Sequence, residues 1–211
     1  NLARQDPNFD LSEFVKRHFY ELHTPEHKTY TPSAEISARE HVRRLWPVLT
    51  RRNRKDRGSL LALPYPYIVP GGRFSEQFYW DNYFIMLGLA RDGHWELIHG
   101  MIKNYANMIS KFGKVPTANR SYFLNRSQPP MLAEMIELLS RHRGKTRTYV
   151  EFLSYLLTEY NFWMKGRKKL KNDPTLPAYL RVTKLPGGVV MNRYFDDKLI
   201  RENGIFVIDE L

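Results

Sequence analysis

The chain has 211 residues, one ordinary domain's worth, and no run approaching about 18 uninterrupted apolar residues, so it offers no candidate membrane span. The absence of Cys excludes disulfides, thiolate nucleophiles and Cys-type zinc sites together. Lys and Arg number 33 against 22 Asp and Glu, a formal charge of +11, so an anionic partner such as nucleic acid has to be weighed against where the excess charge lies.

Asp10-Leu11-Ser12-Glu13 has the pattern of a capping box, and Leu11, Phe14, Val15, His18 and Phe19 follow at helical spacing. Ala38, Val42, Leu45 and Leu49 predict a second helix, interrupted or ended near Pro47. Pro64, Pro66, Pro70, Gly71 and Gly72 make the backbone over 60–74 extended and turning. Residues 79–90 are nearly all apolar and predict a helix buried on most sides, separated by Gly93 from the clearest helix of the chain. There Trp95, Ile98, Ile102, Tyr105, Ile109 and Phe112 step by three and four, and Gly113 supplies the stop. Ser127 with Pro129 and Pro130 predicts another helix start, with Leu132, Met135, Ile136 and Leu139 as its apolar face. Tyr149, Phe152, Leu153, Leu156, Tyr160 and Trp163 line a fourth strong helix, and residues 184–190 read as a hairpin about Gly187-Gly188. The expected class is all-α, helix pairs joined by long connections, with a small β-hairpin near the C-terminus.

Three basic clusters, at 51–57, 141–147 and 165–171, fall between these periodic segments beside Gly or Asp. They read as solvated loops and helix C-termini rather than a nucleic-acid surface, a reading that convergence on one face would reverse. Residues 1–10 carry neither a basic n-region nor an apolar h-region, so no signal peptide is expected. With no Cys, the expected compartment is the cytoplasm, the periplasm being the alternative.

The connections 60–78 and 114–128 are longer than compact domains usually use between helices, and such loops commonly carry function. With the residues that follow the first of them as far as Tyr83, they concentrate Arg73, Glu76, Gln77, Trp80, Asp81, Asn119, Arg120, Arg126 and Gln128 among aromatic rings. A neutral sugar demands that mixture. Its hydroxyls donate and accept, so planar carboxylate, amide and guanidinium groups bind them in pairs, while rings cover the C–H face. On residue types alone, a bland alternative stays open, in which Arg73 and Asp81 merely pair with each other.

The run Pro70-Gly71-Gly72-Arg73-Phe74-Ser75-Glu76-Gln77-Phe78-Tyr79-Trp80-Asp81-Asn82-Tyr83 resembles the first signature of the trehalases almost position for position. Similarity extends through Leu45-Trp46-Pro47, Met86-Leu87-Gly88-Leu89-Ala90, Asn119-Arg120-Ser121-Tyr122, Arg126-Ser127-Gln128-Pro129-Pro130 and Asn192-Arg193-Tyr194-Phe195-Asp196-Asp197. The resemblance covers most of the chain and is nearest in wording to bacterial members. It implies an (α/α)6 toroid of twelve helices, inverting hydrolysis of α,α-trehalose to glucose without metal or cofactor, and a monomer, with no nucleic-acid or membrane partner. Carried over residue by residue, it implies substrate binding by Arg73, Trp80, Asp81, Thr117, Asn119, Arg126, Ser127 and Gln128. Thr117 stands where the family usually has Asn, so that subsite is expected to lose a paired donor–acceptor contact.

Inverting glycosidases need two carboxyl groups about 6.5–9.5 Å apart, an acid and a base. In trehalases the acid is the Asp of a Ser-Gly-Trp-Asp-Phe-Ser motif and the base a later Glu, and neither segment occurs in the sequence. Residues 1–211 therefore read as an N-terminal portion of a trehalase-type catalytic domain, truncated, with catalytic groups expected downstream of Leu211. The alternative is a non-catalytic remnant that binds sugar or a partner chain. Arg201 and Glu202 are candidate remnants of a further substrate contact, and Glu76 with Asp81 are conceivable stand-ins for the catalytic pair.

Overall fold

The computed structural model describes residues 9–19, 30–31 and 34–196, so Arg201 and Glu202 lie outside the described residues. Helix α1 (Leu11–His18) starts as expected, Asp10 accepting from the amides of Ser12 and Glu13 at 2.8 and 3.1 Å. The box is not reciprocal, because Glu13 turns outward to Arg17 at 2.7 Å. Helix α2 (Ala38–Leu49) runs past Pro47 to its end rather than breaking there. Pro47 sits in the last turn, where few bonds remain to be lost, and Thr50 Oγ1 donates to the Trp46 carbonyl at 2.7 Å. Short strands β1 (Thr50–Arg51) and β2 (Tyr67–Ile68) then pair antiparallel inside what the sequence offers as a loop.

Helices α3 (Tyr79–Arg91) and α4 (Trp95–Phe112) form one helical hairpin, and α5 (Leu132–Arg143) and α6 (Lys145–Trp163) form another. The second pair is joined through Gly144 alone, whose φ of +92° is open to glycine at little cost. Helix α4 sits at the centre of the core. Ile98, Met101, Ile102 and Tyr105 are fully buried against Met86 and Leu89 of α3, Met135 and Ile136 of α5, and Phe152 of α6. Gly88 lets α2 dock, since a Cβ there would lie 3.1 Å from the Trp46 ring, and the Trp46 indole donates to Asp92 at 2.9 Å.

The start predicted at Ser127 is overturned. Helix α5 begins at Leu132, because a residue before proline is pushed to extended backbone and Pro129-Pro130 holds the chain out of helix. Beyond α6, a short α7 (Arg167–Asn172) leads into a three-stranded antiparallel sheet of β3 (Ala178–Tyr179), β4 (Val182–Lys184) and β5 (Val190–Asn192). The predicted hairpin is thus present, with one strand more than expected. Its turn is closed by the Gly188 amide on the Leu185 carbonyl at 3.0 Å.

The basic clusters do not behave alike. Arg51 is buried and donates to the carbonyls of Val48, Gly72 and Phe74 at 2.7, 3.0 and 3.3 Å, which corrects its reading as part of a solvated loop. Arg143 joins His99 and Glu151 at 2.7 and 2.9 Å at the turn between α5 and α6. The second and third clusters stand at opposite ends of the 19-residue α6, about 28 Å apart along its axis.

Candidate functional site

The site is built at the N-terminus of α3, where the two long loops meet. Phe78 caps this helix without a side-chain hydrogen bond, so its first amides need acceptors from elsewhere. The second loop supplies them. The Tyr79 amide donates to the Thr117 carbonyl and the Trp80 amide to Gln128 Oε1, each at 3.0 Å. Gln128 thus holds Trp80 in place with its own side chain. The loops are also zipped by an isolated bridge between Leu60 and Arg120 and by the Ser121 amide on the Ser59 carbonyl at 2.9 Å.

Beneath this seam lies a chain of buried amides. Asn119, fully buried, accepts from the Gln77 amide at 2.8 Å and donates to the Leu61 carbonyl at 2.7 Å. Gln77 accepts from Asn104 at 2.8 Å and donates to the Met101 carbonyl at 3.0 Å. Glu76 pairs with Arg120 at 2.6 Å and accepts from the Ser75 amide at 2.9 Å. The carboxylate of Glu76 is therefore consumed by the fold.

Above the seam the polar groups are disposed differently. Arg73 is exposed, its guanidinium 4.8 Å from the Phe74 ring centre, and among the described residues it makes no hydrogen bond or ion pair. Asp81, half-buried in the first turn of α3 where the helix dipole favours a carboxylate, likewise has no hydrogen-bond or ion-pair partner among them. The alternative in which these two neutralise each other does not occur. Trp80, beside Asp81, leaves 42% of its surface open. From Arg73, rings run Phe74, Phe78, Phe123, Tyr122 across both loops, with successive centres 5.3, 6.3 and 4.6 Å apart.

The remaining candidates divide. Arg126 lies 3.3 Å from both Asn125 Oδ1 and Asp196 Oδ2, and Asn125 donates to both Asp196 oxygens at 2.7 and 2.6 Å, tying the second loop to the segment after β5. Ser127 is buried and its hydroxyl donates to the Gln128 carbonyl at 3.1 Å. Thr117 is half-buried, with a hydroxyl that has no hydrogen bond among the described residues.

Sequence reasoning missed Tyr79 and Glu159. The buried Tyr79 hydroxyl accepts from the Met131 and Leu132 amides at 3.1 and 2.8 Å and donates to Glu159 of α6. Burial pushes the Glu159 carboxyl up to about 7, partly offset by that hydrogen bond, and burial with the nearby Glu159 carries the Tyr79 hydroxyl well above its ordinary value. A signal was present in the sequence. Glu159 falls on the stripe of Phe152, Leu156 and Trp163, where a charged residue is out of place. Among the described residues, no group of three or more His, Asp or Glu could hold a metal ion.

Known proteins bear on these residues directly. The family model described as Trehalase matches residues 1–200. The periplasmic trehalases of Escherichia coli O1:K1 and of Shigella flexneri serotype 5b are each 44% identical over 199 residues, covering 93% of this chain and 34% of the relative. Among solved structures, neutral trehalase Nth1 from Saccharomyces cerevisiae is similar at 30% identity and a TM-score of 0.44, over 75% of this chain and 28% of the other. The chain spans about a third of the length of the curated relatives it matches. On the family match over residues 1–200 and the relatives' identity across nearly its whole length, the chain belongs to the trehalase family.

Proposed function

We propose that this chain supplies one wall of the trehalose site of an inverting α,α-trehalase, within the N-terminal portion of an (α/α)6 catalytic domain. The observation that carries the reading is two charged groups without ion-pair partners among the described residues, Arg73 on the first loop and Asp81 next to the exposed Trp80 at the start of α3. A fold that neutralises Glu76 with Arg120 yet leaves these two unmatched has reserved them for a ligand. Asp81 accepts from adjacent sugar hydroxyls, Arg73 donates to others, and the indole covers the C–H face. Thr117 extends the polar lining, whereas Arg126, paired with Asp196, ties the second loop to the segment after β5. Gln128, Ser127 and Asn119 act by holding the loops rather than by touching sugar, because their side chains already have partners.

The proton transfers of hydrolysis belong to an acid and a base outside these 211 residues. Glu76 is no stand-in, because it is ion-paired and buried. The purified chain incubated with trehalose is expected to release no glucose. Calorimetry is expected to register trehalose binding that disappears in Asp81→Ala, and a flat titration of the unmodified chain would remove the reading. Its relatives are named periplasmic trehalases, which favours the periplasm over the cytoplasmic location expected from composition. Release of the protein by osmotic shock tests this, and retention with cytoplasmic markers would restore the first expectation.

A further inference from the structure

Tyr79 crosses the molecule from the site to its interior. Its amide, at the start of α3, is held by Thr117, while its hydroxyl lies at the start of α5. Met131 and Leu132 begin α5 with no side-chain cap of their own, and the segment leading to them is Arg126-Ser127-Gln128-Pro129-Pro130. The hydroxyl accepts both of those orphan amides and gives its single proton to Glu159. Its hydrogen-bonding capacity is then complete.

We infer that Tyr79 and Glu159 form a positioning pin for the sugar wall: Glu159 orients the Tyr79 hydroxyl, which fixes the start of α5 and so holds Gln128 on the Trp80 amide. The inference rests on the reading of that wall as a trehalose site. Neither residue touches sugar, since Tyr79 is fully buried and Glu159 is 5% exposed. A hydrogen-bond acceptor is required at position 159, because without one the hydroxyl can rotate its proton toward an amide and lose a lone pair.

The pin has a direction in pH. Burial holds the Glu159 carboxyl near 7, and no cation is paired with it among the described residues. The titratable groups packed around it are Tyr79 of α3 and, one ring further at 5.2 Å, Tyr105 of α4, whose hydroxyl is raised by burial and by Asp81. Ionised, Glu159 can only accept and makes a charge-assisted bond to the Tyr79 hydroxyl. Protonated, it still accepts through its carbonyl oxygen, but the bond to the Tyr79 hydroxyl loses its charge assistance. The wall is therefore held more firmly above pH 7 than below it.

Amide hydrogen exchange on the full chain, read as protection factors at Met131 and Leu132, tests the pin without any ligand. Tyr79→Phe is expected to lower protection at both by at least about tenfold, and Glu159→Gln to hold it at the wild type's level below pH 7, since the amide oxygen still accepts but carries no charge. Wild-type protection is expected to rise through pH 7, and that of Glu159→Gln to stay level. Unchanged protection in Tyr79→Phe, or a pH step that survives in Glu159→Gln, would overturn the pin. Trehalose titrations of the same variants test the link to the wall. Expected are an affinity loss of about tenfold in Tyr79→Phe, an affinity in Glu159→Gln at the wild type's level below pH 7, and a wild-type affinity that rises through pH 7. If protection responds and affinity does not, the positioning role is overturned. If the unmodified chain fails to bind trehalose, the wall reading fails, while the exchange data still decide the pin.

Discussion

Glu76 and Asp81 stand on either side of the start of α3, in one signature, and the fold treats them oppositely. Glu76 is buried and faces Arg120 at 2.6 Å, whereas Asp81 has no ion-pair partner among the described residues. The same contrast separates the seam from the wall. In the seam Asn119, Gln77 and Asn104 have spent their side chains on one another and on backbone, so they fix the loops and have little to offer a ligand. In the wall, Arg73, Trp80 and Asp81 keep surfaces open. Committed and open side chains are divided between neighbours that residue type alone does not tell apart.

The contrast can be broken most forcefully at Arg120. Arg120→Ala leaves the Glu76 carboxylate buried without its cation, and breaking such a pair typically costs about 3–5 kcal/mol. Denaturant unfolding should register that loss, and a change below about 1 kcal/mol would mean that the seam is no more committed than the wall.

Glu159 gives the next effect, with a sign set by linkage. Its folded-state value, about 7, lies above the ordinary 4.5, so the folded protein binds a proton that the unfolded chain releases. The contribution is fully present below pH 4.5 and is lost as pH rises through 7, a total of about 3 kcal/mol. Glu159→Gln should remove that slope. Persistence of the full slope in the variant would assign it to another group. Global stability and local protection at α5 thus change in opposite directions with pH, a signature that uniform loosening cannot produce.

Asn119→Ala comes third. It strips the Gln77 amide of its buried acceptor and takes one of two donors from the Leu61 carbonyl, which keeps Asn53, for a loss of about 2 kcal/mol by denaturant unfolding. A loss this size with trehalose affinity preserved would place Asn119 firmly in the seam. Affinity lost at unchanged stability would return it to the sugar-contacting set.

Helix α4 was legible because its apolar stripe is periodic and its stop is a glycine. Ile98, Ile102, Tyr105 and Ile109 lie in the core as their spacing requires, and Gly113 adopts a φ of +70°. The start of α5 was not legible, because its cap comes from Tyr79, a residue remote in the chain. Nor could composition divide the loop residues. Arg73 and Arg120 are the same residue type in similar surroundings of Gly, Asn and aromatics, and only the tertiary pairing of Arg120 with Glu76 separates them. Arg51 carries the same lesson, since a basic cluster looks solvated until four backbone carbonyls are found around one of its guanidinium groups.

The smallest expected change in stability is the most telling about function. Asp81→Asn keeps the side chain's shape in the first turn of α3 but removes its charge. Losing the favourable helix-dipole contact costs about 0.3–1 kcal/mol, and relieving an unpaired, half-buried carboxylate returns part of it. Net stability should therefore move by less than about 1 kcal/mol. Trehalose affinity should fall by about tenfold or more, because hydrogen bonds from hydroxyls to a charged acceptor are worth roughly 1.5–3 kcal/mol. Calorimetry and denaturant unfolding on one preparation give both numbers. A variant that unfolds as readily as Arg120→Ala yet binds unchanged would make Asp81 a seam residue after all, and the unmatched charge on which the wall depends would have a structural use.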